Sequence, residues 1–225
     1  MRQAKSLAPA LLLIIIAAFV FSCGGETTGT PGTGGEWNPI IVRAGGFYCT
    51  EEGLEQPGSN PDVDAFFQPL VDCDPNTPAI EFEFYGDHRL RVAMFNADIP
   101  GRPGSARTVT INKIELQYRR PDGFGPAPVL QSRTINTIVS IPPSTEAETL
   151  DINNATVFFT DLVSVATKEE FRTQIDSGQI IPPDFPTEYE VVVRMSGTDI
   201  FDDDLSLTFS VPISIGDFDY CICAL

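Results

Sequence analysis

Hydrophobic residues follow two different patterns along this chain. Leu7 to Phe21 is a 15-residue run with no polar side chain, and Leu11-Leu12-Leu13-Ile14-Ile15-Ile16 lies at its centre. Beyond Trp37 the apolar residues alternate with polar ones, the period of strands with one buried face. Ile40-Ile41-Val42 is a short apolar run. Ile80, Phe82 and Phe84 alternate with Glu81, Glu83 and Tyr85. Leu90, Val92 and Met94 alternate likewise, with Phe95 on the other face, and the intervening Gly86-Asp87 predicts a hairpin.

Val109 and Ile111 alternate in one phase, and Ile114, Leu116 and Tyr118 in the opposite phase. The slip at Asn112-Lys113 predicts a bulge or bend in one long strand. Residues 135–141, 155–163, 189–195 and 205–215 bring the set to about eight or nine strands. In the third of these, Tyr189, Val191 and Val193 share one face, and Glu190, Val192 and Arg194 share the other. One short helix is predicted. Thr167-Lys168-Glu169-Glu170 fits a capping box, Phe171 and Ile175 stand at i and i+4, and Gly178 stops the helix.

The fold class expected is all-β. The closing hairpin turns through Gly197–Asp204, and a tyrosine stands near the start of its first strand. Over residues 105–218 this arrangement resembles the last strands of an immunoglobulin-like β-sandwich. The 19 prolines and 18 glycines suit such a fold with many turns and irregular loops. No second glycine-rich linker and no internal repeat divides residues 37–225, so they are read as a single β-sandwich domain.

The first apolar run follows Arg2 and Lys5, a short basic leader. At 15 residues it falls short of the ~20 that a helix needs to cross a bilayer. It closes on Val20-Phe21-Ser22-Cys23, which resembles the lipobox of bacterial lipoproteins; Phe21 departs from the smaller residue usual there. The resemblance implies a signal peptide at 1–22 and a lipidated Cys23 at the mature N-terminus, carrying a diacylglycerol thioether and an N-acyl chain such as palmitate. Gly24, rather than aspartate, after the cysteine implies the outer membrane by the same resemblance. Residues 24–36 form a tether, with six glycines and four threonines in 13 positions. Its root-mean-square reach is about 20 Å.

Charge narrows the partners. The chain carries 14 basic and 31 acidic residues, a net −17, and loss of Arg2 and Lys5 takes it to −19. Such a body is repelled by nucleic acid and by anionic lipid, so its membrane contact is expected through the lipid anchor. The partner expected is a protein or a glycan of unknown identity.

Four cysteines remain after Cys23: Cys49, Cys73, Cys221 and Cys223. An even number in an exported chain favours disulfides. Cys221 and Cys223 lie two apart, about 6.5–7 Å between Cα atoms in an extended segment, the edge of what a bridge tolerates. Excluding that pair leaves a double staple from the C-terminal tail to the loop around 45–75. A redox-active Cys-x-Cys pair and a Cys₄ zinc site are the competing readings.

Asp199, Asp202, Asp203 and Asp204 cluster in one turn and are the candidate calcium ligands, since calcium takes six to eight oxygens in flexible geometry. The competing reading is a solvated turn. No other cofactor is implied. His88 is the only histidine and is expected in a solvated turn, so a hydrolytic triad has one member at most. Nucleophile-elbow, phosphate-loop and dinucleotide motifs are lacking. The function expected is a non-enzymatic binding or envelope-assembly module. The alternative is a lipid-anchored hydrolase or thiol-redox protein.

Overall fold

Two sheets account for most of the described residues in a computed structural model that describes residues 38–49, 55–56, 62–66, 86–99, 101–144 and 154–218. The strands are β1 (Asn38–Cys49), β2 (Glu55–Gln56), β3 (Asp62–Asp64), β4 (His88–Ala97), β5 (Val109–Arg119), β6 (Arg133–Ile141), β7 (Thr156–Val163), β8 (Thr187–Asp199) and β9 (Asp204–Gly216). A single α-helix among the described residues, α1 (Val165–Asp176), connects β7 to β8. The fold is all-β, as the alternation predicts. One sheet has the order β2-β1-β4-β7 and the other β3-β9-β8-β5-β6. Described pairings between these strands are antiparallel except that of β3 with β9.

The alternating residues fill the space between the sheets. Leu90, Val92, Met94, Phe158 and Leu162 from one sheet join Ile111, Ile114, Leu116, Val191, Val193, Leu207 and Ile213 from the other in one buried cluster. Both pairings of β5 shift register between Ile111 and Lys113, where the hydrophobic phase slips. The bulge keeps Ile111 and Ile114 on the inner face although they lie an odd number of residues apart. Asp64 ties β3 to the end of β9. Its carboxylate accepts from the Phe66 N–H at 3.0 Å and the Phe218 N–H at 3.3 Å.

Three local expectations are corrected. The helix begins at Val165, and its cap is Ser164 rather than Thr167: the Ser164 hydroxyl accepts from the Thr167 N–H at 3.2 Å. Phe171 is fully buried, Ile175 packs on the core, and Gly178 follows the helix at a φ of +69°, as a glycine stop requires. The hairpin expected at Gly86-Asp87 is not how β4 is paired, because β1 lies on one side of β4 and β7 on the other; Ile80, Phe82 and Phe84 lie outside the described residues. His88 is buried rather than solvated. It opens β4 opposite Val163, and the neighbouring Asp87 carboxylate accepts from the Val165 N–H at 2.8 Å. The junction of β7 and α1 thus closes over this turn.

Candidate functional site

The outer face of the five-stranded sheet is built by strand register. Inward positions on β5, β8 and β9 are apolar and buried, so the intervening residues point to solvent. Register aligns those residues in rows. Thr134, Glu115, Arg194 and Thr208 stand side by side across β6, β5, β8 and β9. The next outward row is Gln117, Val192 and Ser210, and the following one Arg119, Glu190 and Pro212. The right-handed twist expected of such a sheet dishes this surface. A concavity of about 460 Å³ lies over it, lined by Glu115, Gln117, Arg119, Thr134, Val192, Arg194, Ser206 and Thr208, with Leu116, Ser132 and Arg133 at its β5–β6 side.

Its polar groups are held to different degrees. The Arg119 guanidinium donates to Gln117 Oε1 through Nε at 3.1 Å and Nη2 at 2.5 Å, which fixes its plane. Glu115 meets Lys113 Nζ at 3.3 Å and Arg194 Nε at 3.9 Å. These are exposed ion pairs, worth about 0–1 kcal/mol each. Arg133 turns toward the sheet interior beside Tyr118. Burial pushes the Tyr118 hydroxyl up in pKa, partly offset by Thr167 and Arg133. That hydroxyl donates to the Leu162 carbonyl at 2.7 Å, across to the other sheet.

A second group lies at the β3 edge of the same face. Asp62, Ser214 and Glu188 share one register row across β3, β9 and β8. The Ser214 hydroxyl donates to Glu188 Oε1 at 2.7 Å. Burial, and then the charge of Glu188, raises the pKa of Asp62. A carboxyl with a raised pKa beside a second acid is the raw material of general acid–base chemistry.

The chain matches no protein-family model, and no curated protein or solved structure is significantly similar to it. The site is therefore read from its own residues.

The sequence-derived candidates fall elsewhere. Cys23, Cys73, Cys221 and Cys223 lie outside the described residues; Cys49 ends β1, opposite Glu55. The acidic turn joins β8 to β9. Asp199 Oδ1 accepts from the Phe201 N–H at 2.8 Å and the Asp203 N–H at 3.1 Å, while Oδ2 meets Arg107 Nη1 at 3.0 Å. Arg107 also lies over the Phe201 ring, 4.5 Å from its centroid, and Asp202 takes the left-handed φ of 63° that aspartate tolerates. The calcium expectation for Asp199, Asp202, Asp203 and Asp204 thus meets a turn whose Asp199 carboxylate is already engaged by N–H donors and a guanidinium. No group of three or more His, Cys, Asp or Glu among the described residues is placed to hold a metal ion.

Burial works to raise the Asp199 pKa, but the Phe201 N–H, Arg107 and the Asp203 N–H outweigh it and hold the carboxyl below its usual range. A depressed folded pKa contributes stability that is present above the unfolded value of about 3.9 and is lost as pH falls through the folded value. The melting temperature is expected to fall on acidification below about pH 4, and Asp199→Asn should flatten that fall. An unchanged pH profile in the variant would count against the turn as drawn.

Arg119, Arg194, Glu115 and Thr208 were not singled out from the sequence. Alternation assigns Arg194 to the face opposite Tyr189, but only the β8–β5 register brings it beside Glu115.

Proposed function

We propose that this chain is an envelope-anchored lipoprotein whose immunoglobulin-like sandwich acts as a non-enzymatic binding module through the outer face of its five-stranded sheet. The strand order supports the sandwich reading. In immunoglobulin terms β4 and β7 match strands B and E, and β5, β8 and β9 match C, F and G, with β6 as an added C′. Tyr189 does not act as the tyrosine corner of that fold. Its hydroxyl donates to the Pro128 carbonyl 61 residues earlier rather than a few residues upstream. The observation that carries the binding reading is the polar concavity on four rigid strands, lined by arginine, amide and hydroxyl groups. Sites on strands hold side chains more rigidly than loops do.

A photo-crosslinking residue at Thr208, expressed in intact cells, tests this reading. A discrete adduct is expected there and not at Asp122, which is exposed on the loop after β5. Absence of any adduct at Thr208 would argue against the binding face. The anchor has its own test. Cys23→Ala should release the body from the membrane fraction or leave an uncleaved precursor; a variant that fractionates and migrates like wild type would refute lipidation.

A second reading, a hydrolase, is favoured by the Asp62–Ser214–Glu188 row. Turnover of a glycoside that disappears in Glu188→Gln would establish it in place of the binding module.

A further inference from the structure

The composition of the concavity points to a class of ligand. On its outward face it holds two guanidinium groups, those of Arg119 and Arg194, against a single acid among the described lining residues, Glu115. The whole chain carries only 14 basic residues and a net charge of −17. A local excess of positive charge on so acidic a body marks a place for an anionic group. Guanidinium is the side chain best shaped for this, because its planar fork meets a carboxylate through two parallel hydrogen bonds. Gln117 already orients the Arg119 fork.

The rest of the lining narrows the body that carries the anion. Ser132, Thr134, Ser206 and Thr208 offer four hydroxyls and Gln117 an amide, while among the described residues Val192 is the one apolar side chain on the floor and no aromatic ring lines it. Protein–protein hot spots are rich in tryptophan and tyrosine. A surface of hydroxyls, amide and arginine instead matches a polyhydroxyl ligand. The volume of about 460 Å³ falls within the ~300–1,000 Å³ typical of small-ligand sites. The acidic remainder of the chain repels polyanions, so the fitting ligand carries few charges.

We infer that the concave face binds a glycan end bearing a single carboxylate, a uronate, with Arg119 and Arg194 as its anionic-group contacts. The inference rests on the binding-face reading above and adds the ligand class. Glu115 then acts as an internal competitor that holds Arg194 and Lys113 while the site is empty.

The test uses the full lipidated chain in detergent, titrated by calorimetry. The probes are a short oligosaccharide ending in glucuronate and its neutral methyl ester. The acid is expected to bind at least about tenfold more tightly than the ester, the size of one charge-assisted hydrogen bond. Arg119→Gln and Arg194→Gln should each weaken the acid by about tenfold, with melting temperatures unchanged. Glu115→Gln should strengthen it several-fold, a gain that loss of a merely structural contact would not produce. Equal binding of acid and ester overturns the carboxylate inference but leaves the binding face standing. Failure of the acid to bind overturns the inference outright, and the Thr208 adduct then decides separately whether the face is used. Inorganic phosphate that displaces the acid at equal concentration overturns the assignment to a uronate.

Discussion

Replacing Phe171 with alanine is expected to destabilise the protein by about 3–5 kcal/mol, the usual range for emptying a buried phenylalanine site. For a body of this size that is a fall of about 6–20 °C in melting temperature. Phe171 is fully buried although it comes from the only helix among the described residues. It meets Phe66 and Tyr189 edge to face, each with ring centroids 6.3 Å away. Such pairs contribute about 0.5–1.5 kcal/mol beyond the area they bury. Phe66 follows β3, and Tyr189 lies on β8 with its hydroxyl bonded to Pro128. One ring thus joins the helix, the β3 segment and the loop before β6, and its loss loosens three parts together. Phe171→Leu keeps most of the volume and should cost less than half as much. Glu169→Ala, exposed on the same helix, should stay within about 0.5 kcal/mol of wild type. Thermal unfolding followed by circular dichroism separates the three. A Phe171→Ala loss no larger than that of Glu169→Ala would mean that α1 does not dock on this core.

Alternation carried much of the fold. The faces of β8 and β9 are legible residue by residue, because a strand with one buried side needs only its own sequence to declare which side that is. The phase slip at Asn112-Lys113 likewise declares the bulge. What sequence does not contain is partnership. Thr167 with Glu170 is the better capping signal on paper, yet Ser164 caps the helix. Two contacts help decide this: Ser164 Oγ lies 3.1 Å from Thr167 Oγ1, and Asp87, 78 residues away, accepts from the Val165 N–H. The same long-range contact helps bury the turn where His88 was expected to be solvated. The concave face was hidden for a related reason. Its rows combine residues from β6, β5, β8 and β9, and no periodicity within one strand reveals which residue of the next will stand beside it. The acidic turn is the opposite case. Its charges are conspicuous, but Asp199 spends its oxygens on two backbone N–H groups of its own turn and on Arg107, which comes from a distant segment.

Gly197→Ala should destabilise the protein by about 3 kcal/mol or more, at or beyond the upper end of ordinary overpacking, and lower the melting temperature by at least about 6 °C. In an extended strand this substitution normally stabilises by about 0.4–1 kcal/mol, because alanine restricts the unfolded chain more than glycine does. The sign reverses here because of the bulge. Gly197 lies on the inner face of β8 opposite Ile111, at the point where the register of β5 shifts. A Cβ at 197 would stand 2.0 Å from the Thr110 carbonyl oxygen and 2.8 Å from the Ile111 Cα. These are backbone atoms, so no side-chain rotation relieves the contact. Either the two strands separate or the bulge moves, and both disturb the central pairing of the five-stranded sheet. Ser196→Ala, one residue away on the outer face, adds nothing to the interior and should stay within about 0.5 kcal/mol of wild type. Denaturant unfolding of the two variants side by side makes the comparison. A Gly197→Ala protein as stable as wild type would mean that β5 and β8 do not approach as closely as the bulge requires, and the rows of the concave face, which depend on that register, would fall with it.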